Sequence, residues 1–232
     1  MAYAEVLDDL EIEQTEDPVT AEIPVTDPAT LPEDLGDAPS PGEQHALLPE
    51  IDAPLGLDPA DIVPTIARSL APTGLNARDR IRARDLAVRA AALALNNASA
   101  IEYTMDARRW DPIKRHRKAF RGQFGRFQDC SSFATWCLWN GLDHFGIADI
   151  VNGDSFHAGF TGTMTAHGHQ VSRGDALRGD CVFYCKAGTR EINHVALYVG
   201  GGMVISHGSE PGPNKLRMDY RPIAQIRRYI YA

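Results

Sequence analysis

The feature that most constrains this chain is a cysteine, Cys130, that follows an aspartate and precedes an apolar run. Phe133, Trp136 and Gly141 recur at helical spacing, which predicts a helix with one buried face. Asp129 is suited to cap this helix, because a short side-chain oxygen can accept from the free amides of the first turn. Cys130 then lies at the helix N-terminus, where the partial positive charge favours a nucleophilic thiolate. The alternative is an inert cysteine in a core helix.

Two helices and a set of strands are predicted around this point. Residues 76–104 form one long helix capped by Asn76, and the cysteine helix runs from about Ser131 to Asn140 with Gly141 as its C-cap. From Gly174 onward the pattern changes to short β-branched and aromatic runs. The predicted strands are 181–185, 193–199, 203–207 and 226–231. A helical half followed by consecutive antiparallel strands indicates an α+β fold.

The charge of the chain divides it into two parts. Residues 1–67 hold 17 Asp and Glu and no Lys or Arg, which leaves 14 acidic and 23 basic residues, a formal +9, in residues 68–232. The first part also contains ten of the 15 prolines and lacks hydrophobic periodicity. Such a segment cannot bury enough apolar surface to fold, so we expect a disordered acidic tail or anchor before a single domain.

Several function classes are disfavoured. No apolar run is long enough for a membrane span, and the N-terminus lacks the features of a signal peptide, so we expect synthesis in a cytoplasm. The basic run 114–126 carries no nucleic-acid-binding motif, and we expect no nucleic acid partner.

The four cysteines favour free thiols over disulfides or metal. Cys130 and Cys137 are about 10 Å apart on a helix, and Cys181 and Cys185 about 13 Å apart on a strand, beyond the reach of a disulfide. A cross-pair stays open. Because no Cys-x-x-Cys or close histidine pair is present, we expect neither a metal site nor a cofactor.

Two histidines flank the predicted hairpin at Gly200–Gly202. His194 begins one strand and His207 ends its partner, so both lie about six residues from the turn and within reach of a side-chain contact. With Cys130 they form a nucleophile, base and orienter set. Cys130 would attack a carbonyl, His194 would take the thiol proton, and His207 would fix the imidazole tautomer. A lone histidine is otherwise a solvated or structural imidazole.

Three segments resemble NlpC-type cell-wall cysteine peptidases: Asp129–Phe133, Gly174–Tyr184 and His194–Gly208. Motif order, histidine spacing and strand context match over roughly residues 100–232. The resemblance implies a papain-like fold, with a helical N-terminal half packed on a central antiparallel sheet. It also implies a thiol protease that cleaves the D-γ-glutamyl–diamino acid bond of the peptidoglycan stem peptide.

Four residues are carried over as substrate contacts by this resemblance. Asp129 and Ser131 match the pair that binds the free amine of the stem peptide in some members, and Tyr103 is the candidate third partner. Trp110 is the fourth, and it lies in the stretch Tyr103–Trp110, which is similar to members of this family from phages. The usual Tyr-x-Trp-Gly-Gly lead-in before the cysteine is absent, and the acidic tail belongs to no part of the family domain.

The stretches Tyr103–Trp110 and Ser206–Pro213 are most similar to lysins or virion-associated hydrolases of actinobacteriophages. This implies synthesis in the host cytoplasm and action at an actinobacterial cell wall, during lysis or when a phage enters its host. An anionic wall polymer and, through residues 1–67, a phage virion or tail protein are the further expected partners. Two alternatives stay open: an N-acetylmuramoyl-L-alanine amidase on the same fold, or a virion structural protein with a docking peptidase-like domain.

Overall fold

The computed structural model describes residues 73–153, 155–208 and 212–231. The predicted acidic tail, residues 1–67, lies outside these ranges. The helices are α1 (Ala77–Asn96), α2 (Asp111–Lys114), α3 (Cys130–Leu142) and α4 (Thr161–Ala166). The strands are β1 (Glu102–Tyr103), β2 (Phe127–Gln128), β3 (His169–Val171), β4 (Cys181–Cys185), β5 (Ile192–Gly200), β6 (Met203–Ser206), β7 (Asn214–Arg217) and β8 (Ile223–Arg228).

The alanine-rich helix α1 begins where the sequence predicts and ends earlier. The Asn76 side chain accepts the Asp79 N–H at 2.9 Å, which confirms the predicted cap. The prediction of helix through residue 104 is wrong, because the chain leaves the helix after Asn96. The Glu102 N–H then donates to the Arg126 carbonyl at 2.6 Å, so these backbone groups join β1 to β2 in a parallel pair.

Helix α3 is buried along its whole length and forms the centre of the core. The predicted C-cap at Gly141 is wrong, since α3 continues to Leu142. Gly141 instead lies against α1, where an added Cβ would overlap the carbonyl oxygen of Ala83. The absence of a side chain therefore lets the two helices approach closely, a requirement of packing that local sequence signals do not show.

The antiparallel sheet has the strand order β3-β8-β4-β5-β6-β7. The hairpin between β5 and β6 turns through Gly200, Gly201 and Gly202, all with positive φ, as the sequence predicts. Residues of β5 alternate between two faces: Val195 packs with α3 in the main core, and Ala196 packs in a second cluster on the opposite face. The predicted α+β layout is confirmed. Among the described residues, no helix has the length and apolar character to cross a membrane.

Candidate active site

Cys130 occupies the first position of α3, directly after its cap. The Asp129 Oδ1 accepts the Ser132 N–H at 2.6 Å, and the Ser132 hydroxyl accepts the Asp129 N–H at 2.8 Å. This reciprocal capping box confirms the predicted N-cap and satisfies two backbone donors that a helix end otherwise leaves free. The cysteine is thereby fixed at the helix N-terminus, as the sequence indicates.

The sulfur of Cys130 lies in a dry environment, and only 5% of the residue is exposed. The Thr161 hydroxyl lies 4.0 Å from Sγ, and the backbone N–H groups of Val195 and Ser131 also face it. Burial, followed by the negative charge of Asp129, raises the pKa of the thiol to about 12, although these donors act in the opposite direction. The expectation that the helix terminus favours a thiolate is therefore wrong for this resting structure, because burial and the Asp129 charge outweigh the hydrogen-bond donors around the sulfur.

His194 lies on β5 immediately before Val195, whose N–H faces the sulfur. Its Nε2 is 2.6 Å from the hydroxyl oxygen of Ser206 on β6, and both residues are buried. Burial, followed by the positive charges of Arg221 and His207, lowers the pKa of His194 to about 3. The imidazole is therefore neutral at pH 7. The described residues contain no hydrogen bond between the Cys130 thiol and an imidazole.

Ser206, and not His207, makes the hydrogen bond to His194. In the β5–β6 register Ala196 pairs with Ser206, so Ser206 projects from the sheet face that also carries His194. The side chain of His207 projects from the other face, because successive residues of an extended chain alternate. The expected contact between the two imidazoles is thus wrong. No local sequence signal distinguishes Ser206 from His207 here, because the choice depends on the β5–β6 register.

His207 is fully buried next to α3. Its ring makes edge contacts with Phe133, at 6.4 Å between centroids, and with Tyr103, at 5.5 Å. Neither ring nitrogen makes a hydrogen bond of ordinary geometry to the described residues, although backbone groups of Glu102 and Gly212 face the ring. Burial lowers the pKa of His207 to about 4, even though the charge of Asp129 and nearby backbone groups act to raise it. His207 is therefore a neutral imidazole that lies between the start of α3 and β1.

The carboxylate of Asp129 is already occupied on both oxygens. Oδ1 accepts from the Ser131 hydroxyl at 3.0 Å in addition to the cap, and Oδ2 pairs with the guanidinium of Arg109. Arg109 also donates to the Gly159 carbonyl at 3.4 Å. Asp129 and Ser131, the residues expected to bind a free amine, are therefore brought together but satisfied by each other and by Arg109. Sequence reasoning did not single out Arg109, since nothing local indicates a partner 20 residues away.

The other two expected substrate contacts have different environments. Tyr103 is half-buried on β1 and faces the ring of His207. Trp110 is only 5% exposed and packs in the main core, with the Arg109 guanidinium 5.0 Å from its ring centroid. The structure thus places Trp110 beneath the site as a packing residue. Within the described part of the chain, no group of three or more His, Cys, Asp or Glu side chains is arranged to hold a metal ion.

Comparison with known families identifies the domain that contains this site. Residues 118–221 match the sequence model of the NlpC/P60 family, and this range includes Cys130, His194 and Ser206. The chain contains an NlpC/P60 domain. The fold is the papain-like α+β fold of that family, and NlpC/P60 members are generally peptidoglycan hydrolases of the cysteine endopeptidase type.

Several solved structures are similar to this chain at low sequence identity. NlpC2 from Trichomonas vaginalis is 20% identical over 68% of this chain and 49% of that one, with a TM-score of 0.43. Rv1477, a hypothetical invasion protein of Mycobacterium tuberculosis, is 16% identical over 70% and 71%, with a TM-score of 0.44. The NlpC/p60 domain of the peptidoglycan hydrolase SagA is 17% identical over 62% and 97%, with a TM-score of 0.42. The chain spans about half the length of the Trichomonas structure. A search of curated proteins gave no significant match.

Proposed function

We propose that this protein is a peptidoglycan hydrolase, a cysteine endopeptidase that cleaves the D-γ-glutamyl–diamino acid bond of the stem peptide. The observation that supports it best is the arrangement of Cys130 inside the NlpC/P60 domain. The thiol lies at the first position of a capped helix and faces the N–H of Val195. Val195 directly follows His194, and His194 is hydrogen-bonded to Ser206 on the neighbouring strand.

The chemistry follows from the neutral state of both groups. Because the pKa of the thiol is raised to about 12 and that of His194 is lowered to about 3, the resting site holds a thiol and a neutral imidazole. His194 acts as a general base that removes the proton from the Cys130 thiol as the sulfur bonds to the scissile carbonyl carbon. The backbone amides at the start of α3 stabilise the oxyanion that forms.

The remaining steps return the site to its starting state. The C–N bond breaks as the imidazolium of His194 donates its proton to the leaving amine, which leaves an acyl group on Cys130. Water then adds to the thioester carbonyl with His194 again as base, and the thiol is released together with the new carboxylate. Ser206 holds the Nε2 side of the ring throughout, so that Nδ1 is the nitrogen that takes and returns the proton.

Mass spectrometry of digested actinobacterial wall tests this function. The wild type and Cys137→Ala, which alters a wholly buried thiol on the same helix, should release fragments, and Cys130→Ala should release none. Cleavage at the proposed bond leaves L-Ala–D-Glu on the sugar, whereas an amidase leaves a bare lactyl group. Equal release by wild type and Cys130→Ala, or fragments with bare lactyl groups, contradicts the proposal.

We further propose a phage role, in which the protein is made in the host cytoplasm and acts at the host wall during lysis or when the phage enters its host. The support is the resemblance of the stretches Tyr103–Trp110 and Ser206–Pro213 to actinobacteriophage versions. Residues 1–67 would attach the enzyme to a virion protein, and the basic domain would favour an anionic wall polymer. Immunodetection of the protein in purified particles, compared with a chain that begins at Arg68, tests the attachment.

A further inference from the structure

A chain of hydrogen-bonding groups extends beyond the residues used above. The phenolic oxygen of Tyr220 lies 3.2 Å from the Ser206 hydroxyl oxygen, which lies 2.6 Å from the Nε2 of His194. His194 is 6% exposed and Ser206 1% exposed. In so dry a place the Ser206 hydroxyl must use the protein groups around it, because water offers few alternative partners.

The proton of Ser206 decides which nitrogen of His194 can act as a base. A hydroxyl has one proton and can donate it in one direction only. If Ser206 donates to Nε2, the ring proton resides on Nδ1 and that nitrogen cannot accept a proton from the thiol. If Ser206 donates to Tyr220 instead, its oxygen accepts from Nε2–H and Nδ1 is left as the base.

Aromatic packing holds Tyr220 in place for this task. Its ring meets that of Tyr184 at 4.9 Å between centroids and that of His194 at 6.4 Å, and the His194 and Tyr184 rings are 6.0 Å apart. The Tyr184 hydroxyl donates to the Met218 carbonyl at 3.0 Å, so it takes no part in the chain that leads to His194. Two tyrosines in one cluster therefore differ in whether their hydroxyl reaches Ser206.

We propose that Tyr220 is a positioning residue whose hydroxyl oxygen accepts a hydrogen bond from the Ser206 hydroxyl and thereby fixes His194 as the Nε2–H tautomer. The proposal rests on the proposed function only for its kinetic consequence, since the tautomer is a property of the resting protein. Tyr220 touches neither thiol nor substrate in this account and acts through Ser206 alone.

Nitrogen NMR of the imidazoles tests the proposal directly. Long-range proton–nitrogen spectra at pH 7, assigned with His194→Gln, should show the Nε2–H tautomer in the wild type and in Tyr184→Phe. In Tyr220→Phe the spectra should shift toward the Nδ1–H tautomer, because among the described residues Nε2 is then the one side-chain acceptor within reach of the Ser206 hydroxyl. The same tautomer in Tyr220→Phe as in the wild type, or an Nδ1–H wild type, overturns the proposal.

Kinetics on wall fragments give a second readout. Tyr220→Phe should lower kcat about tenfold with KM unchanged, on the scale of one neutral hydrogen bond. In the Ser206→Ala background the same change should have no further effect, whereas additive losses would refute action through Ser206. Full activity of Cys130→Ala would instead refute the proposed function, and it would leave the NMR result to decide on the tautomer.

Discussion

At the scale of single residues, the balance of opposing effects on Cys130 decides its chemistry. The helix N-terminus and the donors around the sulfur favour the thiolate, whereas burial and the adjacent Asp129 charge oppose it. Burial is the largest contribution and raises the pKa of the thiol to about 12. In the proposed mechanism such a site stores no preformed thiolate, and His194 removes the proton during attack.

The first prediction concerns the alkylation of Cys130 by iodoacetamide. Because the pKa of the thiol is raised to about 12, the rate should rise about tenfold per pH unit and continue to rise through pH 10 without levelling. Peptide mass spectrometry of the labelled cysteine measures this rate. A plateau between pH 5 and 8 would show a thiolate–imidazolium pair in the resting protein and contradict this description.

The second prediction concerns the ion pair between Arg109 and Asp129. Removal of the guanidinium in Arg109→Ala leaves a buried carboxylate without its charge partner, so we expect a loss of about 3 kcal/mol in the free energy of unfolding. Urea titration measures it. Arg108→Ala is the matched control, since Arg108 pairs with the exposed Asp106 and should leave the free energy nearly unchanged. Equal losses in the two variants would argue against a stabilising role for the Arg109 pair.

At the scale of secondary-structure elements, local signals predict the start of a helix better than its end. Asp129 identifies the start of α3 because the cap is made by neighbours in the sequence. Gly141 misleads because its role is set by α1, which is distant in the sequence. His207 misleads for a related reason: whether it or Ser206 meets His194 depends on the β5–β6 register, which a count from the turn does not fix.

The third prediction tests the close contact between α1 and α3. In Gly141→Ala the new Cβ overlaps the backbone of Ala83, which cannot move without shifting α1, so we expect a loss of about 1–3 kcal/mol. Gly174→Ala is the control, because the nearest atom to its Cβ lies 3.8 Å away. Unfolding by urea should separate the two variants. A stabilised Gly141→Ala would mean that helix propensity outweighs this contact.

At the scale of the whole molecule, two neutral imidazoles lie on opposite faces of the sheet, His194 near the start of β5 and His207 just after the end of β6. Much of the fold was predictable from the sequence. The α+β order, the hairpin and the helix that carries Cys130 follow from periodicity and turn residues. The occupied state of Asp129 was not, because Arg109 reaches it only through the folded chain. Nor was the burial of both histidines, which depends on how the helices cover the sheet.

The fourth prediction is a loss of stability in mild acid. The folded pKa values of His194 and His207 are lowered to about 3 and 4, so between pH 6.5 and 4 the unfolded chain binds protons that the folded chain does not. The free energy of unfolding should therefore decrease as the pH is lowered, by up to about 1.4 kcal/mol per pH unit for each histidine.

Urea titrations between pH 7 and pH 4.5 measure this slope. His207→Gln should reduce it by the contribution of one imidazole, while His194 and His144, whose pKa burial also lowers, keep theirs. Replacement of the exposed His157 by Gln should leave it unchanged and serves as the control. A free energy of unfolding that is flat over this range in the wild type would contradict neutral burial of the two rings.

The most direct test of the central claim compares labelling of Cys130 with hydrolysis of the wall. Cys185→Ala is the suitable background, because Cys185 is half-exposed whereas the other three cysteines are buried. As iodoacetamide modifies a growing fraction of Cys130, the rate of wall solubilisation should fall in proportion to the unlabelled fraction and reach zero at full labelling. Undiminished solubilisation by protein with Cys130 fully labelled would contradict the assignment of this thiol as the nucleophile.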